Sequence, residues 1–290
     1  MGTPGKMKRR EMLRNLGALA ASGAVKDPAA RSEVNAATQN TTSRTRRDRV
    51  LALIGDRYHN PDYIRVALIP IYRELGLPID FTISIDEIDA ARLQNYRVFV
   101  AFGAPLNWPN GYLGPDHYPY ASLLENSEDW PKTIMEGGIT EQQGEMIRDF
   151  VQAGNGLYIY HQCGYISPYS KAFREVMGGI RIGHPPLRPF KVKVVNHEHP
   201  ITQGVQDFMV NDEQHFLIYD LDPKYVILES ENIDGLNFGS HGTSAVSGWA
   251  YEHGKGRVVY TAVGHTIYAL WQKEYVKIQK NAVRWLMRMS

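Results

Sequence analysis

Cysteine is nearly absent. Cys163 stands alone in 290 residues, so no disulfide can form within the chain. An excess of one charge sign is absent too. A net charge of +1 leaves nothing spare to neutralise phosphates, which argues against a nucleic-acid binder. No Gly-x-Gly-x-x-Gly follows the first predicted strand, so a dinucleotide site is not expected. There is no internal repeat. The mild apolar segment at residues 16–25 is too short for a permanent membrane span. The remainder is ordinary globular material, with 43% hydrophobic and 22% charged residues, long enough for one large domain or two small ones.

The first stretch reads as an address. Lys8-Arg9-Arg10-Glu11-Met12-Leu13-Arg14 precedes the Ala- and Gly-rich segment, with small residues at a candidate cut after Ala24. The arginine pair resembles a twin-arginine export signal, with Lys8 where Ser or Thr is usual and Met12 where Phe is usual. A basic tail is the alternative. Residues 26–47 are polar and unpatterned, as in a linker. The expectation is an export signal and linker over residues 1–47, a domain over 48–290, and a periplasmic or secreted location.

From residue 49 the chain alternates strand and helix. Strands are expected at 49–55, 79–85, 98–103 and 157–160, with helices at 62–75, 86–94 and 168–176 and another that opens at Thr140 and is ended by Gly154 and Gly156. Pro70 is a candidate kink in the first helix. Thr140 and Gln143 carry the spacing of a capping box. Such alternation predicts an α/β fold with a parallel sheet covered on both faces. The fourth strand, Leu157-Tyr158-Ile159-Tyr160, runs straight into His161-Gln162-Cys163, at the elbow where a strand turns towards a helix. Residues 104–138 form a long stretch rich in Pro, Trp and Tyr, either a functional loop or one pinned down by its rings. Beyond Pro189 the pattern changes. An alternating, exposed-edge strand is expected at 190–195, one continuous element at 208–219, and three strands at 225–231, 244–251 and 257–263. Gly254-Lys255-Gly256 would form the hairpin turn between the last two. A terminal helix is expected at 275–289.

Four segments carry a resemblance to a known family. They are the Gly-x-Gly-apolar run ending in His161; His199-Pro200-Ile201-Thr202-x-Gly204; Asp212-Glu213; and Trp249 through Gly254-Lys255-Gly256-Arg257-Val258-x-Tyr260-Thr261 to Gly264-His265. Together they resemble the trehalose-utilization, or ThuA-like, family. The resemblance implies a flavodoxin-like three-layer sandwich akin to class I glutamine amidotransferases, with added C-terminal strands. It also implies a role in breaking down disaccharides or glycosides, oxidised 3-keto sugars among them. Gln162 and Cys163 after the elbow histidine, and His215 in place of the Tyr of Asp-Glu-x-Tyr, are departures from the family pattern.

His59, His161 and His265 each fall at the carboxyl end of a predicted strand, where open α/β sheets bind ligands. The expected catalytic residues are His161, Glu213 and His265. His161 would act as base, and a divalent metal or cationic His265 would stabilise an enediolate. Glu213 would serve as acid or ligand. His59, Gln162, Trp108 and Tyr112 are the expected contacts to a small-molecule sugar. Asp212 could instead cap the element that follows it. His197, Glu198 and His199 read as a solvated turn. Two alternatives stay open: a non-catalytic sugar-binding module using the aromatic loop, and a thiol hydrolase using Cys163.

Overall fold

A computed structural model of the chain describes residues 48–56, 58–104 and 138–289. The leader, the linker and the aromatic loop with Trp108 and Tyr112 lie outside the described residues.

The organising element is a nine-stranded sheet in the order β2-β1-β3-β4-β11-β10-β9-β6-β7. Its first half is parallel: β1 (Val50–Ile54), β2 (Ile79–Thr82), β3 (Val98–Phe102), β4 (Gly156–Tyr160) and β11 (Gly256–Thr261). That order is the flavodoxin-like 2-1-3-4-5, whose switch point lies between β1 and β3. These strands are apolar on both sides because both sides are covered. Val50, Ala52 and Ile54 pack towards α1 (Pro61–Glu74) and the C-terminal helix α6 (Lys273–Met287). Leu51 and Leu53 face the other way, towards α3 (Glu141–Gln152) and α4 (Lys171–Met177). The result is three layers with one core on each face of the sheet. None of the described helices is long and apolar enough to cross a membrane.

Local chemistry sets the helix limits. Asn60 caps α1, its side chain accepting from the Asp62 amide. The helix continues through Pro70, which lies on its exposed side, where a missing N–H is least costly. Thr140 and Gln143 form the expected capping box on α3. The expected helix at 86–94 divides into a tight turn, Ile85–Glu87, and the short α2 (Ala90–Leu93), because Asp89 caps a new start. The expected helix at 168–176 begins later, at Lys171. Residues His161–Tyr169 wind as successive tight 3₁₀ turns, and Ser170 then caps α4.

The second half of the sheet is antiparallel. It comprises β10 (Ser244–His253), β9 (Val226–Asn232), β6 (Arg188–Val194) and β7 (Phe208–Asp212). Gly254 takes φ +60° in the two-residue turn from β10 to β11. The expected edge strand at 190–195 is β6, but it lies between β9 and β7. Its alternation reflects one wet face, not a free edge. The expected single element at 208–219 is two strands in two sheets. β7 ends at Asp212, and β8 (Phe216–Tyr219) pairs with the unanticipated β5 (Gly179–Gly183) in a separate ribbon. The short helix α5 (Ile267–Leu270), capped by Thr266, leads into α6.

A histidine-rich candidate active site

The carboxyl ends of β1, β3, β4 and β11 share one edge of the sheet. Gly103 permits the close approach there, since a Cβ on it would lie 2.5 Å from the Gly55 carbonyl oxygen. Among the described residues, five histidines gather at this edge, around Glu213: His59 after β1, His161 after β4, His184 after β5, His215 after β7 and His265 after β11.

His161 occupies the elbow. Its φ is +45°, a left-handed conformation that costs energy for a residue with a Cβ. The surroundings fix it twice. Its Nδ1–H donates to the Ala262 carbonyl at 2.6 Å, and Tyr260 Oη–H donates to its own carbonyl at 3.0 Å. That tautomer leaves Nε2 with a lone pair, 3.4 Å from Glu213 Oε2 and without a hydrogen-bond partner. Burial pushes the imidazole down to about 3 despite the opposing pull of Glu213, so it is neutral.

Asp56 ties three strand ends together. One carboxylate oxygen accepts from His59 Nδ1 at 3.0 Å and from the Tyr58 and His59 amides. The other accepts from the Ala104 amide, at the end of β3, and from the Gln162 side chain, at the end of β4. His59 is thereby held with Nε2 towards His265 Nδ1, 3.0 Å away.

Asp212 does similar work for His265. Its carboxylate accepts from the Gly264 amide at 2.7 Å and the His265 amide at 3.0 Å. Burial raises its pKa to about 7, against the lowering effect of the Gly264 amide. In a flat sheet, four strand spacings of about 4.8 Å would put β7 about 19 Å from β11. The antiparallel half therefore curls back, and this brings Glu213 to the edge. Asp212 caps no following element; it braces the loop after β11.

Burial alone would raise Glu213, but the imidazoles of His161, His215 and His265 around it hold it well below the usual carboxylate range. His265 Nδ1 lies 3.3 Å from Oε1, and His184 Nε2 and His215 Nε2 each lie 3.4 Å from Oε2. Burial would lower His265, but hydrogen bonding and attraction to Glu213, with help from Asp212 and Asp56, move it upwards instead. Burial lowers His184 and His215. His184 Nδ1–H donates to the Pro185 carbonyl at 2.8 Å, so its Nε2 is the basic nitrogen.

A cavity of about 430 Å³ opens over this cluster, within the ~300–1,000 Å³ of ordinary small-molecule clefts. His59, Gln162, Arg181, His184, Glu213 and His265 are in its wall. The Arg181 guanidinium stacks 4.6 Å over the Tyr165 ring. His161 is not in the wall; it is 0% exposed, behind the rest.

The four residues expected to meet, His59, His161, Glu213 and His265, do meet. Gln162 lines the cavity but spends its amide on Asp56. Trp108 and Tyr112 lie outside the described residues. Cys163 is buried, its Sγ–H directed at the Gly103 carbonyl at 2.7 Å, and burial pushes the thiol up to about 12, which disarms it as a nucleophile. Sequence reasoning missed Asp56, Arg181, His184 and the place of His215. Arg181 lies on β5 and His184 directly after it, and β5 is a strand of two glycines and three other residues, too short to announce itself.

Comparison of the sequence with known families matches residues 123–286 to the trehalose utilisation family, ThuA. The chain belongs to the trehalose utilisation family. Among solved structures, a ThuA-like protein from Parabacteroides merdae overlays with a TM-score of 0.58 at 16% identity, covering 83% of this chain and 90% of that one. A ThuA-like protein from Bacteroides uniformis gives a TM-score of 0.56 at 17% identity over 82% and 90%. At such identities the likeness to these ThuA-like chains is one of fold. No curated protein matches in sequence. Family membership gives the cavity a carbohydrate-related setting.

Proposed function

We propose that the protein cleaves a disaccharide or glycoside carrying a ketone at carbon three, by acid/base chemistry in the histidine-rich cavity. The observation that carries this reading is the cavity wall itself. It sets a neutral imidazole, an ionised carboxylate and a guanidinium around one space large enough for a small molecule.

A C3 ketone acidifies the C2–H bond. In this reading His184 Nε2 takes that proton, and Glu213, 3.4 Å away, stabilises the imidazolium. The C–H electron pair moves into a C2=C3 enolate. Arg181 faces the developing oxyanion. Collapse of the enolate expels the glycosidic oxygen from C1, and the His184 imidazolium returns the proton to it. Water then adds to the resulting enone. His161, buried and weakly basic, is a positioning residue here and not the base that its elbow position suggested.

The reading extends to location. We propose that the folded chain is exported through its twin-arginine-like leader, supported by Arg9-Arg10 and the short apolar segment after them.

Incubation of a 3-keto-glycoside in D₂O tests the chemistry. The wild-type protein should release the aglycone and leave deuterium at C2 of recovered substrate. His184→Ala should slow both by about 100-fold or more. Release without C2 exchange, or an unimpaired His184→Ala, would overturn the assignment.

A further inference from the structure

We propose that His59, His161, Glu213 and His265 bind one divalent transition-metal ion of the zinc class, through His59 Nε2, His161 Nε2, His265 Nδ1 and a Glu213 carboxylate oxygen. The inference concerns the same cavity but does not depend on which substrate enters it.

Spacing is the first argument. The donor atoms lie within 4.8 Å of one another, with adjacent pairs at 3.0, 3.3 and 3.4 Å. Ligands bound at about 2.0–2.1 Å around a tetrahedral ion lie about 3.3–3.4 Å apart. The His161–Glu213 contact has that separation but lacks hydrogen-bond alignment, and His161 Nε2 is left buried with no partner. A buried acceptor without a donor calls for an explanation, and an ion supplies one.

Orientation is the second. Metal-bound histidines commonly donate their other N–H to a carboxylate or backbone carbonyl, which fixes the tautomer. His59 gives its Nδ1–H to Asp56, and His161 gives its Nδ1–H to the Ala262 carbonyl. Both therefore present Nε2 lone pairs to the same point. His215 Nε2 lies 3.4 Å from Glu213 Oε2, where its N–H steadies the carboxylate without joining the ligand set.

Charge is the third. Asp56, Asp212 and Glu213 converge on this edge, whereas among the described residues of the cavity wall Arg181 is the only Lys or Arg. Three imidazoles and one carboxylate suit zinc, iron or nickel and are a poor cage for magnesium or calcium. His59 and His161 are buried, while the side chains of His265 and Glu213, both in the cavity wall, are 26% and 13% exposed. That leaves a coordination position open to the cavity, as in catalytic sites and unlike closed structural ones.

The test uses the full chain without substrate. The protein is stripped with chelator, dialysed separately against Zn²⁺, Co²⁺ or Mg²⁺, gel-filtered and analysed for metal. About one equivalent of zinc or cobalt per chain should be retained, with no magnesium, and Co²⁺ should show d–d absorption bands. The thermal midpoint should rise with Zn²⁺. Glu213→Gln and His265→Ala should each fall below about a tenth of an equivalent, and His197→Ala, in an exposed turn, should keep the full amount. Circular dichroism confirms that each variant is folded. If the wild-type chain holds no ion above background, or if both folded site variants keep a full equivalent, the proposal is overturned. Metal content is read without turnover, so failure of the sugar reading and failure of this one are separate results.

Discussion

His161 occupies a conformation that few residues with a side chain accept, and the fold binds both its ring and its carbonyl to keep it there. Asn tolerates the left-handed region better than most residues. His161→Asn should therefore fold, with a thermal midpoint near that of the wild type, yet lose the metal ion. Melting curves and metal analysis check the two halves together. Cys163 makes the opposite case, a reactive residue type rendered inert by burial. Iodoacetamide at neutral pH should leave it unmodified in the native protein and alkylate it in denaturant, as read by mass spectrometry. At this scale the sequence was legible wherever a strand end announced itself. His59, His161 and His265 were identified because each follows an apolar run. His184 and Arg181 were not, because they ride on a short ribbon whose pairing is set by tertiary contacts. Asp56 carries no such signal, since a carboxylate that orients other groups has no motif of its own.

Among the elements, the loop after β11 is the most constrained. Gly264 cannot carry a side chain, because a Cβ there would lie 2.8 Å from His161 Cβ and 3.1 Å from the Phe102 ring. Gly264→Ala should cost about 1–3 kcal/mol through overpacking and displace both His161 and His265. Asp212→Ala removes the acceptor for two amides and should destabilise by about 1–3 kcal/mol for each one left buried and unpaired. Chemical denaturation measures both. The Thr140 capping box was readable because its partners are three residues apart. The break between β7 and β8 was not. Asp212 ends the strand and Glu213 follows it, both serving residues some fifty positions away, and no local pattern records that.

On the scale of the whole chain, βα alternation was enough to foretell the parallel half and its two covered faces. It did not foretell that the antiparallel half would curl back and deliver Glu213 to the edge formed by β1, β4 and β11. The site is a product of that curl, which no local pattern in the sequence records. Export belongs to this scale as well. Replacing Arg9 and Arg10 by Lys should hold the protein in the cytoplasm, and cell fractionation would detect it there. The central claim is that the chemistry takes place around Glu213. The most direct measurement is the rate of aglycone release from a 3-keto-glycoside by zinc-loaded wild-type protein and by Glu213→Gln. The account predicts measurable release by the wild type and a loss of about 100-fold or more in the variant; equal rates in the two proteins would contradict it.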